Sequence, residues 1–257
     1  MLYLSALQDY DSNHRGRVAE AGIQAGELKR AAAVRAADWV ESGMTVGLGT
    51  GSTTRFLLDE LAVRIQQGRL EEIRGVPTSE DTARRSVDLG IPLITLEEAR
   101  ELDLTIDGAD EVDPELRLIK GLGGALLREK IVAAASRRLV IVVDDSKMVH
   151  RLGTRAPLPV EVEPFGRRVH ESFFRDLGAE PVLRVVDGDS PYRTDGGHLI
   201  YDCSFENGIA DPEALERRLN ARPGIIESGL FLGMANHVVV ARPRGLEVLN
   251  RPNGVAR

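Results

Sequence analysis

The chain has 257 residues and a mass of 28.0 kDa, with 42% hydrophobic and 28% charged residues, the proportions of a folded protein that buries a core. Its formal net charge of −7 argues against nucleic acid as a partner and requires the positive charge for any bound anion to be local. The single cysteine, Cys203, excludes an intrachain disulfide and a multi-cysteine zinc site, and no apolar run approaches the roughly 18 residues of a membrane span.

The five histidines, His14, His150, His170, His198 and His237, are scattered without metal-ligand spacing, so no metal is expected. The expected setting is reduced and cytoplasmic, with no membrane or nucleic-acid partner. Residues 1–24 show no clear period, are interrupted by Asp9, Asp11 and Asn13, and are expected to form an extension. From Glu27 the apolar spacing predicts a helix through Val40, stopped by Gly43. Units of βα character follow. Met44–Leu48 reads as a buried strand, and Phe56, Leu57, Leu58, Leu61 and Ile65 mark a helix. Strands are predicted at 73–77, 93–94 and 102–107, with a helix from Ser79 to Leu89. A helix is expected from Ala125 to Ser136, and Leu139–Val143 is an apolar β-branched run typical of a central parallel strand.

After Gly153 the composition shifts to a proline-rich stretch, Pro157 to Pro164. A helix containing Phe173 and Phe174, strands at 181–186 and 199–203, and a helix start at Asp211-Pro212-Glu213 predict a smaller α+β unit over 155–228. Val238–Ala241 is again a buried-strand signal that can return to the first sheet. The expected organisation is therefore a catalytic α/β unit formed by 25–154 plus 229–257, interrupted by a small unit at 155–228.

Ligands of open α/β sheets bind beyond the carboxyl ends of the strands. Three such ends here are polar: Gly49-Thr50-Gly51-Ser52-Thr53, Asp107-Gly108-Ala109-Asp110-Glu111 and Asp144-Asp145-Ser146-Lys147. The first can bring backbone amides and hydroxyls to a phosphate at a helix start, although tight packing explains a glycine-rich turn equally well. It is neither a Walker loop nor a GxGxxG fingerprint. Asp107 and Asp110 are neighbouring carboxylates that call for a ligand or a lysine if buried. Lys120 precedes Gly121-Leu122-Gly123-Gly124, where an ammonium can meet an anion. Glu129 lies in the first turns of the next helix, whose N-terminus is expected to keep its carboxyl ionised at neutral pH. On spacing alone, Arg128-Glu129-Lys130 is an ordinary solvated helix face.

Together these segments, with KGLGGALLREK at 120–130 and Pro157-Leu158-Pro159-Val160-Glu161-Val162, resemble the type A ribose-5-phosphate isomerases, in the family's order. The resemblance covers the chain from about Glu27 onward. It implies a Rossmann-like parallel-sheet domain with an inserted, smaller ferredoxin-like α+β domain. It implies a sugar-phosphate substrate, no cofactor, and a homo-oligomer, dimer or tetramer. By resemblance, Thr50, Gly51, Ser52 and Thr53 form a substrate loop. Asp107, Gly108, Ala109 and Asp110 contact sugar hydroxyls and help open the furanose ring. Lys120, Gly121, Leu122 and Gly123 line the site, and Lys147 touches substrate. Glu129 matches the general base, with Asp107 and Lys120 as further catalytic groups, and Lys29 matches a basic residue near the phosphate. Leu122 stands where many members carry glycine, and is strained if that turn needs a positive φ there.

Two other functions share related architectures. A sugar-phosphate sensor domain would need a DNA-binding helix-turn-helix, which the short acidic stretch before the first helix is not expected to supply. A CoA transferase would use a nucleophilic glutamate and form a trappable thioester. A nucleotide or methyl-donor enzyme would want an acidic residue after the second strand, where Val76-Pro77-Thr78-Ser79 has none.

Overall fold

The computed structural model describes residues 26–251; the expected extension at 1–24 lies outside them. Helix α1 (26–37) is followed by β1 (Thr45–Leu48), α2 (Ser52–Gln66), β2 (Arg74–Pro77), α3 (Glu80–Asp88) and the single turn α4 (Leu96–Ala99). Next come β3 (Leu104–Asp107), the short strands β4 (Glu111–Val112) and β5 (Leu118–Ile119), α5 (Leu126–Ala134) and β6 (Leu139–Asp144). Beyond β6 lie β7 (Leu158–Val162), α6 (Val169–Asp176), β8 (Glu180–Leu183), β9 (Val185–Val186), β10 (Ser190–Pro191), β11 (Leu199–Ser204), α7 (Pro212–Asn220) and β12 (Ile225–Ser228). The chain closes with β13 (Leu230–Phe231), β14 (His237–Arg242) and β15 (Gly245–Asn250).

The main sheet has the order β15-β14-β6-β3-β1-β2 and is parallel from β2 to β14, with β15 antiparallel at the edge. Its central strand shows why the apolar run was legible. Val140 and Val142 pack on one face with Ala33, Ala36, Leu57 and Leu61 of the first two helices. Leu139, Ile141 and Val143 pack on the other with Leu118, Phe231 and Val238. A strand covered on both sides has no polar face, so its sequence does not alternate. A second sheet, β12-β7-β11-β8, is wholly antiparallel; Leu158, Val160 and Val162 of β7 join Leu199 and Tyr201 of β11 under Phe174 of α6 and Leu215 and Leu219 of α7. The chain leaves the main sheet after β6 and re-enters it at β14, with the second sheet built in between. This is the α/β fold with an inserted α+β unit.

Several local expectations differ. Leu93 makes one isolated parallel bridge to Gly75 instead of a strand at 93–94. The run 181–186 is broken at Arg184, with β8 in the second sheet and β9 paired to β10 in a separate ribbon. The strands β4 and β5, which pair with each other, with β5 also pairing with β13, were unforeseen because two residues are too few to carry a period.

Candidate active site

β1, β3 and β6 are neighbours and run the same way, so the loops after them share one rim of the sheet. They meet there as the sequence suggested. One cleft is lined by Lys29, Thr50, Gly51, Ser52, Thr53, Gly108, Ala109, Asp110, Lys120, Gly121, Gly123, Glu129 and Lys147. Two expected site residues stand apart from that lining. Asp107 sits one layer beneath, and Leu122 points its exposed side chain elsewhere while its backbone belongs to the turn.

Asp107 is 2% exposed and both its oxygens are engaged. Oδ1 accepts the amides of Thr50 (3.1 Å) and Gly108 (2.7 Å), and Oδ2 lies 2.8 Å from Lys120 Nζ. Asp107, expected with the rest of the 107–110 loop to meet sugar hydroxyls, thus has both carboxylate oxygens engaged within the fold, while Gly108, Ala109 and Asp110 line the cleft. Gly49 is required by this arrangement: a Cβ there would come within 2.1 Å of Asp107 Oδ1 and 2.7 Å of its Cα. Thr50 is braced from a direction the sequence did not disclose. Its hydroxyl lies 2.7 Å from that of Thr78 and donates to Ser79 Oγ at 2.9 Å, while Thr82 donates to Gly49 O. Thr78 follows β2 on the same rim, so the rule that found the other loops extends to it.

Lys120 is the hub. Its Nζ donates to Gly108 O (2.8 Å), pairs with Asp107, and lies 3.1 Å from Glu129 Oε2. Behind it stand the ring of Phe231, 5.2 Å away, and Gly229, whose carbonyl accepts the Lys120 amide. The buried ammonium has its pKa raised: burial opposes the charge, and Asp107 and Glu129 outweigh that opposition. Glu129, 3% exposed, behaves otherwise than its helix position suggested. Its carboxyl is pushed up to about 8, chiefly by burial; Lys120 pulls it down, and the charge of Asp107 adds to the rise. Desolvation outweighs the helix N-terminus because Glu129 is inside the fold rather than on a solvated helix face. Its Oε2 makes an ion pair with Lys120 without a well-directed hydrogen bond.

The end of the cleft at α2 is equally distinct. Helix α2 has Gly51 (φ 107°) at its N-cap, has no side-chain cap and carries no acidic residue in its first turn, leaving amides open to an anion. Lys29 Nζ donates to Ser52 Oγ at 3.1 Å, and half-buried Lys147 lines the same cleft. In the glycine-rich turn, Gly121 (φ 100°) and Gly124 (φ 86°) take the positive φ values; Leu122 does not, so leucine is unstrained there. Its amide donates to Asp110 Oδ2 at 3.0 Å. Among the described residues there is no group of His, Cys, Asp and Glu arranged to hold a metal, and no helix long and apolar enough to cross a membrane.

Known proteins resemble this chain in sequence and in fold. Residues 74–245 match the family described as ribose 5-phosphate isomerase A (phosphoriboisomerase A). The chain is 55% identical over 229 residues to the ribose-5-phosphate isomerase A of Roseiflexus castenholzii, covering 89% of this chain and 97% of that one. Against the Gloeobacter violaceus protein of the same name the identity is 56% over 223 residues, with 86% and 95% covered. Among solved structures it is similar to the ribose 5-phosphate isomerase of Plasmodium falciparum (TM-score 0.85, 37% identity, 88% of this chain and 98% of that one). It is equally similar to a D-ribose-5-phosphate isomerase in complex with phospho-erythronic acid (TM-score 0.85, 38% identity, 88% and 98%). The chain belongs to the ribose 5-phosphate isomerase A family.

Proposed function

We propose that this cleft interconverts D-ribose 5-phosphate and D-ribulose 5-phosphate through an enediolate, with Glu129 as the base. The observation that carries the assignment of roles is the buried Asp107–Lys120–Glu129 cluster at the end of an anion-ready helix. The phosphate is held by the α2 amides, the Ser52 and Thr53 hydroxyls, Lys29 and Lys147. Asp110 and the 108–109 backbone meet the sugar and assist ring opening. Asp107 acts from below, holding both the Thr50 loop and the Lys120 ammonium.

With the aldehyde open, Glu129 takes the C2 hydrogen as a proton. The C–H electron pair forms the C1–C2 double bond, and the carbonyl electrons move to O1. A proton passes from O2 to O1, the O2 electrons form the new carbonyl, and C1 recovers the proton held by Glu129. No atom is gained or lost. Lys120 and the turn amides stabilise the charge that appears on oxygen, and such donors are worth most when they are already in place. Phosphate binding remote from the reacting carbons fixes their orientation, so unphosphorylated ribose should lose turnover as well as affinity.

The test is to incubate purified protein with ribose 5-phosphate in the presence of EDTA and follow ketose formation. Glu129→Gln should retain the fold and substrate binding while losing roughly 10²–10⁴-fold in kcat. Absence of ketose from the wild type overturns the activity, and near-normal turnover in the variant removes Glu129 from it.

The same proposal includes the residues 25–154 plus 229–257 as catalytic domain and 155–228 as small domain, supported by the extent of the second sheet. It also includes a cytoplasmic homo-oligomer, dimer or tetramer. Support comes from Cys203, free and buried, and from the exposed Val182 on edge strand β8. Light scattering on the purified chain reads the assembly directly.

A further inference from the structure

The small unit grips the glycine-rich turn of the site through one arginine. Arg184 follows β8, at the break between that strand and β9, and its side chain is 14% exposed. Nε and Nη2 form a two-pronged pair with Asp202 of β11, at 2.9 and 2.5 Å. The remaining nitrogen, Nη1, donates to two successive carbonyls of the glycine-rich turn: Gly121 O at 3.3 Å and Leu122 O at 3.0 Å. Its guanidinium lies 5.7 Å from the Tyr192 ring centroid, and the Tyr192 hydroxyl fills the space where a Cβ on Gly124 would sit.

In a trans peptide the N–H points opposite to the C=O, and no peptide among the described residues is cis. Holding the Gly121 carbonyl therefore turns the Leu122 N–H away from Arg184, and that N–H reaches Asp110, which lines the cleft. Holding the Leu122 carbonyl turns the Gly123 N–H the same way. Gly123 lines the cleft and its amide has no hydrogen-bond acceptor among the described residues.

We propose that Arg184, fixed by Asp202, is a positioning residue for the isomerisation: it orients the 121–123 peptides so that the Gly123 N–H is presented to the oxygen that gains charge in the enediolate. The inference rests on the isomerase reading above. It makes the small unit part of catalysis although none of its residues lines the cleft. A donor already in place costs no reorganisation during the reaction, whereas one displaced by about 1 Å can cost about 10²-fold.

The experiment compares wild type, Arg184→Met, Arg184→Lys and Asp202→Asn with a control, Arg242→Met, which breaks a surface pair with Glu247. The readouts are kcat, KM and inhibition by phospho-erythronic acid, whose carboxylate offers oxygens like those of the enediolate. Arg184→Met should lose about 10²-fold in kcat with KM within about 3-fold, and weaken inhibition by a similar factor. Arg184→Lys, which keeps the charge but not the fork, should fall between wild type and Arg184→Met. Asp202→Asn should lose kcat in the same direction, and Arg242→Met should match wild type. If Arg184→Met does not fold, the other two variants decide. Folded variants with wild-type kcat, or with lower thermal stability as their only change, overturn the proposal. An inactive wild type would instead overturn the isomerase reading.

Discussion

Glu129 carries two opposed demands. As the proposed base it must be ionised, yet burial lifts its carboxyl from the ordinary 4.5 to about 8. A raised pKa means that the folded protein binds this proton more tightly than the unfolded chain. The stabilising contribution is complete below 4.5 and is lost as pH rises through about 8. Two outcomes follow from one sign. The kcat/KM for ribose 5-phosphate should climb with pH through about 8, as a pH–rate profile of the free enzyme would record. In denaturant titrations, Glu129→Gln should gain on the wild type at about pH 9 and lose that gain at about pH 5. Lys120 answers the same carboxylates from the other side. Lys120→Met leaves Asp107 and Glu129 buried without a cation, and should cost about 3–5 kcal/mol of unfolding free energy at alkaline pH. The identities of these residues were legible in the sequence, whereas Glu129 read alone resembled a solvated helix face. Its burial comes from packing that no local spacing records.

At the scale of elements, the glycines explain how a short strand end becomes a site. Gly49 lets β1 pass over Asp107, and any side chain would meet the Asp107 backbone as well as its carboxylate. Gly49→Ala should therefore lower stability by about 1–3 kcal/mol and reduce kcat through the displaced Thr50 amide, measurable by thermal melting and steady-state kinetics. The parallel strands and the helices after them were readable because doubly buried strands and amphipathic helices have long patterns. The β4–β5 hairpin was not, although it positions Lys120 immediately after its second strand. The hydroxyl brace on Thr50 was also hidden, because Thr78, Ser79 and Thr82 are ordinary polar residues until the fold brings them within hydrogen-bonding distance.

Across the whole molecule, the small β13-β5-β4 sheet is tied to the segment that enters the second sheet by a buried carboxylate. Glu111 on β4 is fully buried and accepts the amides of Gly153 (2.5 Å), Arg155 (2.6 Å) and Ala156 (2.7 Å), the segment that leads into β7. Hydrogen bonds to a charged acceptor are worth about 1.5–3 kcal/mol each, so Glu111→Gln should lower stability by at least about 2 kcal/mol. Amide exchange should speed up first at 153–156. Glu111 was visible in the sequence only as the last residue of an acidic loop, and nothing there named its acceptor role.

The sequence by itself determined the alternation of strands and helices, the polar carboxyl-end loops that line the cleft, and the family, because these are written in local periods and in motifs of fixed order. The tertiary structure decided which carboxylate is spent on scaffolding and which faces the cleft, why Glu129 resists ionisation, and how Arg184, far along the chain, comes to hold the carbonyls of the glycine-rich turn. Those outcomes depend on desolvation and on contacts between residues far apart in the chain, and neither quantity exists until the sheets have closed over one another.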